Sequence, residues 1–117
     1  MKIKEIATLL DAEIVMDKVG DSVDFKCACG ADLMSDVLAY VKHDALLLTG
    51  LINPHVVRTA VMMDIPCIVF VRGKIPPKEV LEVAEENDIT LMTTRHTMFT
   101  ACGRLYEHGL RGSAGDC

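Results

Sequence analysis

Three short stretches of this chain are apolar without alternation: 46–48 (LLL), 67–71 (CIVFV) and 89–92 (ITLM), the last interrupted only by Thr90. Side chains of a strand point alternately to opposite faces, so a strand with one wet face alternates apolar and polar residues. A run without that alternation, too short for a helix, fits a strand covered on both faces, which is the habit of parallel sheets. Helical segments separate the runs. Asn53-Pro54 supplies an N-cap and a first-turn proline for a helix to about Met63. Pro76-Pro77 opens a second through about Glu86, with Val80, Leu81 and Ala84 inward and Glu79, Glu82, Glu85 and Glu86 outward. Thr97 stands where it would cap a last helix from Met98 to His108, closed by Gly109. Strand, helix, strand, helix, strand, helix is a repeated βαβ pattern, and it predicts a parallel sheet with right-handed crossovers.

The N-terminal third adds to this sheet. Ile3, Ile6, Leu9 and Leu10 repeat at helical spacing. Residues 13–16 read as a strand, and 17–24 as a polar connection. Phe25, Cys27 and Cys29 alternate with Lys26 and Ala28, as on a half-buried strand. Leu33, Met34, Val37, Leu38 and Val41 share one helix face. The expected fold is α/β, with a mostly parallel sheet of about four or five strands. At 117 residues, half of them apolar, the chain is sized for one domain, expected over 1–110, with the Gly-containing polar segment 111–117 as a flexible tail. Doubly covered strands account for the apolar content without a membrane or cofactor.

Charge and cysteine usage narrow the function classes. The net charge is −5, and the 12 Lys and Arg residues are scattered from Lys2 to Arg111, so neither a nucleic-acid footprint nor a basic membrane-binding patch is expected. No apolar stretch has the length of a membrane span and the N-terminus lacks a secretory pattern, so the expectation is a cytoplasmic protein. In a reducing compartment the five cysteines, at 27, 29, 67, 102 and 117, are expected as thiols. The C-x-C of Cys27 and Cys29 departs from the usual C-x₂-C metal and cluster spacing, so no metal site is expected. Cys29 and Cys102 are the pair that a redox or metal-binding alternative would use.

Ligands of open parallel sheets collect outside the carboxyl ends of the strands. The loops there are Gly30-Ala31-Asp32 leading to Ser35, Thr49 to Asn53, Arg72-Gly73-Lys74, and Thr93 to His96. They offer hydroxyls, cations, glycines that permit close backbone approach, and two helix N-termini. Ser35, Thr49, Gly50, Asn53, Arg72, Gly73, Lys74, Thr94 and Arg95 are the expected binders of a small anionic ligand. The same Thr, Asn and Gly residues are also ordinary capping and turn residues. No Walker A loop, G-x-G-x-x-G or G-x-S-x-G is present, and no nucleophile–base pair can be named. The sequence requires no cofactor, and a non-enzymatic role is expected.

Several segments together resemble the DRTGG domain family. They are Asp32-Leu33-Met34-Ser35-Asp36-Val37-Leu38-Ala39, Leu48-Thr49-Gly50-Leu51-Ile52-Asn53-Pro54, Val56-Val57-Arg58-Thr59-Ala60, Ile68-Val69-Phe70-Val71-Arg72-Gly73-Lys74 and Ala101-Cys102-Gly103-Arg104-Leu105-Tyr106. The likeness runs from Ile3 to about Leu110. The family's namesake stretch falls near Asp24-Phe25-Lys26-Cys27-Ala28-Cys29-Gly30, which keeps its Asp and one Gly. The chain is most similar to short stand-alone members of anaerobic bacteria, often encoded near iron-only hydrogenase and other electron-transfer genes. Related domains occur in phosphotransacetylases, between CBS domains of regulatory pyrophosphatases, and at the non-catalytic N-terminus of HPr kinase. The resemblance implies a three-layer α/β/α fold, self-association as a homodimer, and a regulatory or ligand-sensing role toward a small anionic ligand, a nucleotide among them, or toward a protein partner. The alternative it suggests is a redox or metal-binding accessory of a hydrogenase or other electron-transfer system.

Overall fold

The computed structural model of the chain describes residues 1–41 and 44–112. Its elements in order are α1 (Ile3–Leu10), β1 (Glu13–Met16), β2 (Cys27–Gly30), α2 (Met34–Tyr40), β3 (Leu46–Thr49), α3 (Pro54–Met62), β4 (Cys67–Phe70), α4 (Lys78–Glu86), β5 (Thr90–Thr93), α5 (Met98–Glu107) and β6 (Arg111–Gly112). The three non-alternating runs fall on β3, β4 and β5, as their lack of alternation predicts. The sheet has six strands in the order β1-β5-β4-β3-β2-β6. β1 runs antiparallel to β5, and every other neighbour pair is parallel. The sixth strand falls on the first two residues of the segment expected as a tail; residues 113–117 lie outside the described residues.

Two apolar clusters lie on the two faces of this sheet. On one face Leu47, Ile68, Phe70 and Leu91 pack against Met34 and Val37 of α2, Val56, Val57 and Ala60 of α3, and Val80 and Ala84 of α4. On the other, Leu46, Leu48, Cys67, Val69, Val71 and Met92 pack against Ile3, Ile6 and Leu10 of α1 and Ala101 and Leu105 of α5. Adjacent residues of β3 and β4 therefore serve opposite clusters, and β3 and β4 are buried along their whole length. This is the three-layer α/β/α arrangement that the resemblance implies.

Helix ends follow local chemistry. Asn53 Oδ1 accepts the Val56 N–H at 3.1 Å and Pro54 opens α3, as the sequence predicts. Thr97 does stand at the N-cap of α5, but its hydroxyl turns to Thr100 Oγ1 at 3.5 Å and caps no backbone N–H. Asp11, Asp64 and Asp88 take up left-handed backbone just past α1, α3 and α4, with φ of 49°, 53° and 56°. Asp is among the few residues with side chains that visit this region routinely, because its short carboxylate hydrogen-bonds locally.

Chain direction across the sheet decides where its edges open. From β2 to β5 the chain steps along the sheet in one direction, and its crossovers α2, α3 and α4 cover one face. After β5 it reverses to reach β6 at the far side of β2, and the returning α5 covers the opposite face. Crossovers of one hand must change face when the direction along the sheet reverses. The loops leaving β4 and β5, neighbours in the sheet, therefore diverge.

Candidate functional site

Divergent loops at the carboxyl ends of adjacent parallel strands open a crevice, the usual ligand position in open α/β sheets. Here the crevice is a cleft of about 520 Å³. Gly73 and Ile75 come from the loop after β4, and Thr93, Thr94, Arg95 and His96 from the end of β5 and its loop. The third wall is Leu10, Asp11 and Glu13. β1 contributes because it is antiparallel to β5: Glu13 is paired with Thr93, so the start of β1 lies at the carboxyl end of β5.

The two loops are tied by main-chain bonds. The Arg72 N–H donates to His96 O and the Gly73 N–H to Thr94 O, both at 2.8 Å. Arg72 and Gly73 are both left-handed, with φ of 61° and 69°, and this turn directs the two N–H groups at the β5 loop. Those amides are thus already bonded within the chain. The buried Thr94 hydroxyl donates to Leu10 O at 2.6 Å and accepts the His96 N–H at 3.2 Å, fixing the end of α1 to the β5 loop. Thr93 Oγ1 donates to Lys74 O at 2.7 Å.

Charges in the cleft are of both signs. Asp11 Oδ2 lies 3.3 Å from His96 Nε2 and 3.3 Å from Arg104 Nη1. Arg104 Nη1 also donates to Leu9 O at 3.1 Å, so α5 and α1 share this contact. Arg95 and Glu13 are exposed at the cleft and complete its ionic lining. Ile75 is 75% exposed and gives the cleft an apolar lip.

The predicted site residues separate into three groups. Gly73, Thr94 and Arg95 line the cleft. Thr49, Gly50 and Arg72 gather around Asp32 instead. Asp32 Oδ1 accepts the Gly50 N–H at 2.7 Å and Thr49 Oγ1–H at 3.1 Å, and its Oδ2 lies 3.8 Å from Arg72 Nη1. The Arg72 guanidinium lies over Gly50 so closely that a Cβ there would come within 2.3 Å of Nη2. Asn53 directs its side-chain oxygen to its own helix, while Ser35 in the first turn of α2 and Lys74 are exposed and line no part of the cleft. Sequence reasoning missed Asp11, Glu13 and Ile75 as cleft residues. The only signal for the first two would be the antiparallel pairing of β1, which periodicity does not carry.

The cysteines are dispersed. Cys29 packs with the α2–α4 side of the sheet and Cys102 with the α1–α5 side, so the strands separate them. Cys29, Cys67 and Cys102 are thiols. Cys117 lies outside the described residues. Burial raises the Cys67 thiol far above its ordinary range and raises Cys102 as well. Among the described residues no three His, Cys, Asp or Glu side chains are grouped to hold a metal ion. No helix among them is long and apolar enough to cross a membrane.

Comparison with known proteins follows the same lines. The sequence model of one family, described as the DRTGG domain, matches residues 5–108. No curated protein matches the chain. Among solved structures, the CBS and DRTGG domains of the regulatory region of Clostridium perfringens pyrophosphatase, complexed with the activator diadenosine tetraphosphate, superpose with a TM-score of 0.72 at 20% sequence identity. The match covers 89% of this chain and 45% of that one, so the chain spans less than half of its neighbour's length.

Proposed function

Since the chain belongs to the DRTGG domain family, we propose that it is a non-catalytic regulatory module that senses a small phosphate-bearing ligand, of the nucleotide class, in the cleft between the β4 and β5 loops. The observation that carries this reading is the cleft itself. It lies at the carboxyl edge where the chain reverses direction, and both Arg95 and the exposed Ile75 line it. A guanidinium recognises phosphate by paired, charge-assisted hydrogen bonds, and an exposed aliphatic side chain offers a face to a base. Glu13 and Asp11 add acceptors for amino or hydroxyl groups, which favours a nucleotide over a bare inorganic anion. The nucleotide activator of the pyrophosphatase regulatory region supports the same ligand class. In this reading residues 1–110 act as one unit, in the cytoplasm, with no nucleic acid or membrane as partner.

A thermal-shift panel of nucleoside mono-, di- and triphosphates, diadenosine polyphosphates, phosphorylated metabolites and inorganic phosphate tests the proposal. A ligand at a hundred times its Kd stabilises by about 2.7 kcal/mol, a shift of several degrees for a domain of this size. At least one nucleotide should raise Tm, inorganic phosphate alone should not, and Arg95→Ala should cut the shift to about half or less. A panel without any shift overturns the reading.

A further inference from the structure

We infer that Arg72 is a second phosphate contact of the cleft, seated on Gly50 in the free chain and drawn off that seat by the ligand. The inference rests on the proposed function and narrows its ligand to a nucleotide with two or more phosphate groups, one held by Arg95 and the next by Arg72.

Neither the seat nor the residue on it is explained by stability. Among the described residues, those with a side chain and left-handed backbone are Asp11, Asp44, Asp64, Asp88 and Arg72. Aspartate enters this region readily because its short carboxylate bonds locally, whereas arginine has no such compensation. The ion pair that Arg72 makes is 3.8 Å long and about half in solvent, and such a pair returns less than left-handed backbone costs. Gly50 poses the same question. Its φ is not left-handed, and the three atoms nearest to a Cβ there would all belong to the Arg72 guanidinium. Glycine at 50 serves the arginine that lies over it.

Little holds the guanidinium on its seat. It carries five N–H donors, and its one polar contact among the described residues is Asp32 Oδ2, beyond hydrogen-bond length. Asp32 does not depend on that contact. Its Oδ1 accepts the Gly50 N–H at 2.7 Å and the Thr49 hydroxyl at 3.1 Å, so it keeps both bonds, and gains water, when Arg72 leaves. A phosphate meets the fork of a guanidinium with two parallel charge-assisted bonds, a stronger contact than this carboxylate makes.

The cleft is within reach of Arg72. The Arg72 N–H donates to His96 O at 2.8 Å, and both His96 and the adjoining Gly73 line the cleft. Rotation about side-chain bonds carries the guanidinium from the Gly50 side of the β4 loop to the Arg95 side, with the main-chain ties between the loops unbroken. β4 and β5 are neighbours, so the two arginines extend from strand ends about 5 Å apart, a spacing that suits consecutive phosphate groups of one ligand.

Titration calorimetry of the full chain with ADP, GDP, CDP and UDP, and with the matching monophosphates, tests the inference. At least one diphosphate should bind more tightly than its monophosphate. Arg72→Asn places a residue suited to left-handed backbone at this position. It should not lower the Tm of the free protein, yet should weaken that diphosphate about tenfold and its monophosphate less than about twofold. Asp32→Asn keeps an oxygen for Gly50 and Thr49 but removes the charge, and Gly50→Ala crowds the seat. Each should tighten diphosphate binding about two- to fivefold, and neither should do so when combined with Arg72→Asn. Diphosphate binding that Arg95→Ala weakens and Arg72→Asn does not overturns the inference and leaves the proposed function standing. The same holds if Asp32→Asn and Gly50→Ala both fail to tighten binding, or if the diphosphates bind no better than the monophosphates. A thermal-shift panel without any shift overturns both.

Discussion

Asp32 and Arg72 meet across the backbone of Gly50. The Asp32 carboxylate takes the Gly50 N–H and the Thr49 hydroxyl on one oxygen and lies 3.8 Å from Arg72 Nη1 on the other. The contact joins the ends of β2, β3 and β4 at the carboxyl edge of the sheet. Its two halves differ in kind. The ion pair is half in solvent, with Arg72 47% and Asp32 43% exposed, whereas the Thr49 side chain is fully buried.

Asp32→Ala should therefore cost more stability than Arg72→Ala. Loss of the carboxylate strands a backbone donor and a buried hydroxyl, worth about 1–3 kcal/mol. Loss of Arg72 removes only a water-screened ion pair, worth less than about 1 kcal/mol. Gly50→Ala should behave like Arg72→Ala, because the new Cβ displaces the flexible end of a guanidinium rather than backbone. Urea unfolding of the three variants gives the order directly.

Thr94→Val should be among the more damaging single changes at this edge. The residue is buried, and its hydroxyl serves both Leu10 O and the His96 N–H. Valine keeps the shape and leaves both groups without a partner, a cost of about 1–3 kcal/mol. The same bond ties two walls of the cleft, so Thr94→Val should also weaken any nucleotide-induced thermal shift.

Arg95→Ala and Lys74→Ala should separate two cations that look alike in sequence. Arg95 lines the cleft; Lys74 does not. In titration calorimetry with a nucleotide that shifts Tm, Arg95→Ala should raise Kd by roughly tenfold or more, the worth of one charge-assisted contact. Lys74→Ala should leave Kd within about twofold. Equal effects of the two would remove Arg95 from the site.

Thiol reactivity should follow burial. Cys67 and Cys102 both have raised pKa values, caused chiefly by desolvation of the thiolate. Less thiolate at a given pH means slower alkylation. Mass spectrometry after iodoacetamide treatment of native protein should show Cys67 unmodified, and Cys102 modified at a rate that still rises where a free thiol has levelled off. The stability consequence has a definite sign. The unfolded chain ionises Cys67 near its ordinary pKa of 9.0 while the folded chain holds it protonated. Stability from this group is therefore complete below that pH and declines as pH rises above it. Cys67→Ala should show a shallower alkaline loss than wild type in urea titrations.

The middle of the fold is readable without coordinates because β3 and β4 are buried on both faces and β5 nearly so, and a doubly buried strand lacks the polar alternation of a half-exposed one. The Asn53 cap is readable for a local reason: its partner, Val56, is three residues away. β6 is not readable, because two residues pair with β2 through backbone alone, and Arg111 and Gly112 carry no apolar pattern. The cleft is readable in half. The loops after β4 and β5 can be named from strand ends, and they supply Gly73, Thr94 and Arg95. Asp11 and Glu13 come from the end of α1 and the start of β1, more than 80 residues from Arg95 in the chain. Thr49, Gly50 and Arg72, equally placed by the strand rule, instead engage Asp32.

By itself, then, the sequence determined the element order, the parallel character of the central strands, the membership in a family of α/β domains and the carboxyl edge of the sheet at which the cleft lies. Each of these depends on side-chain period, local capping or motif, all of which are local in the chain. Only the tertiary structure decided where along that edge the cleft opens. That depends on the strand order β1-β5-β4-β3-β2-β6, with the chain reversing after β5 and β1 joining antiparallel. Strand order is set by which apolar faces pack together across the whole domain, and the face a crossover helix covers follows from it. The same packing set Arg72 beside Asp32 and placed Arg95 in the lining of the cleft, a difference between two cations that no local pattern encodes.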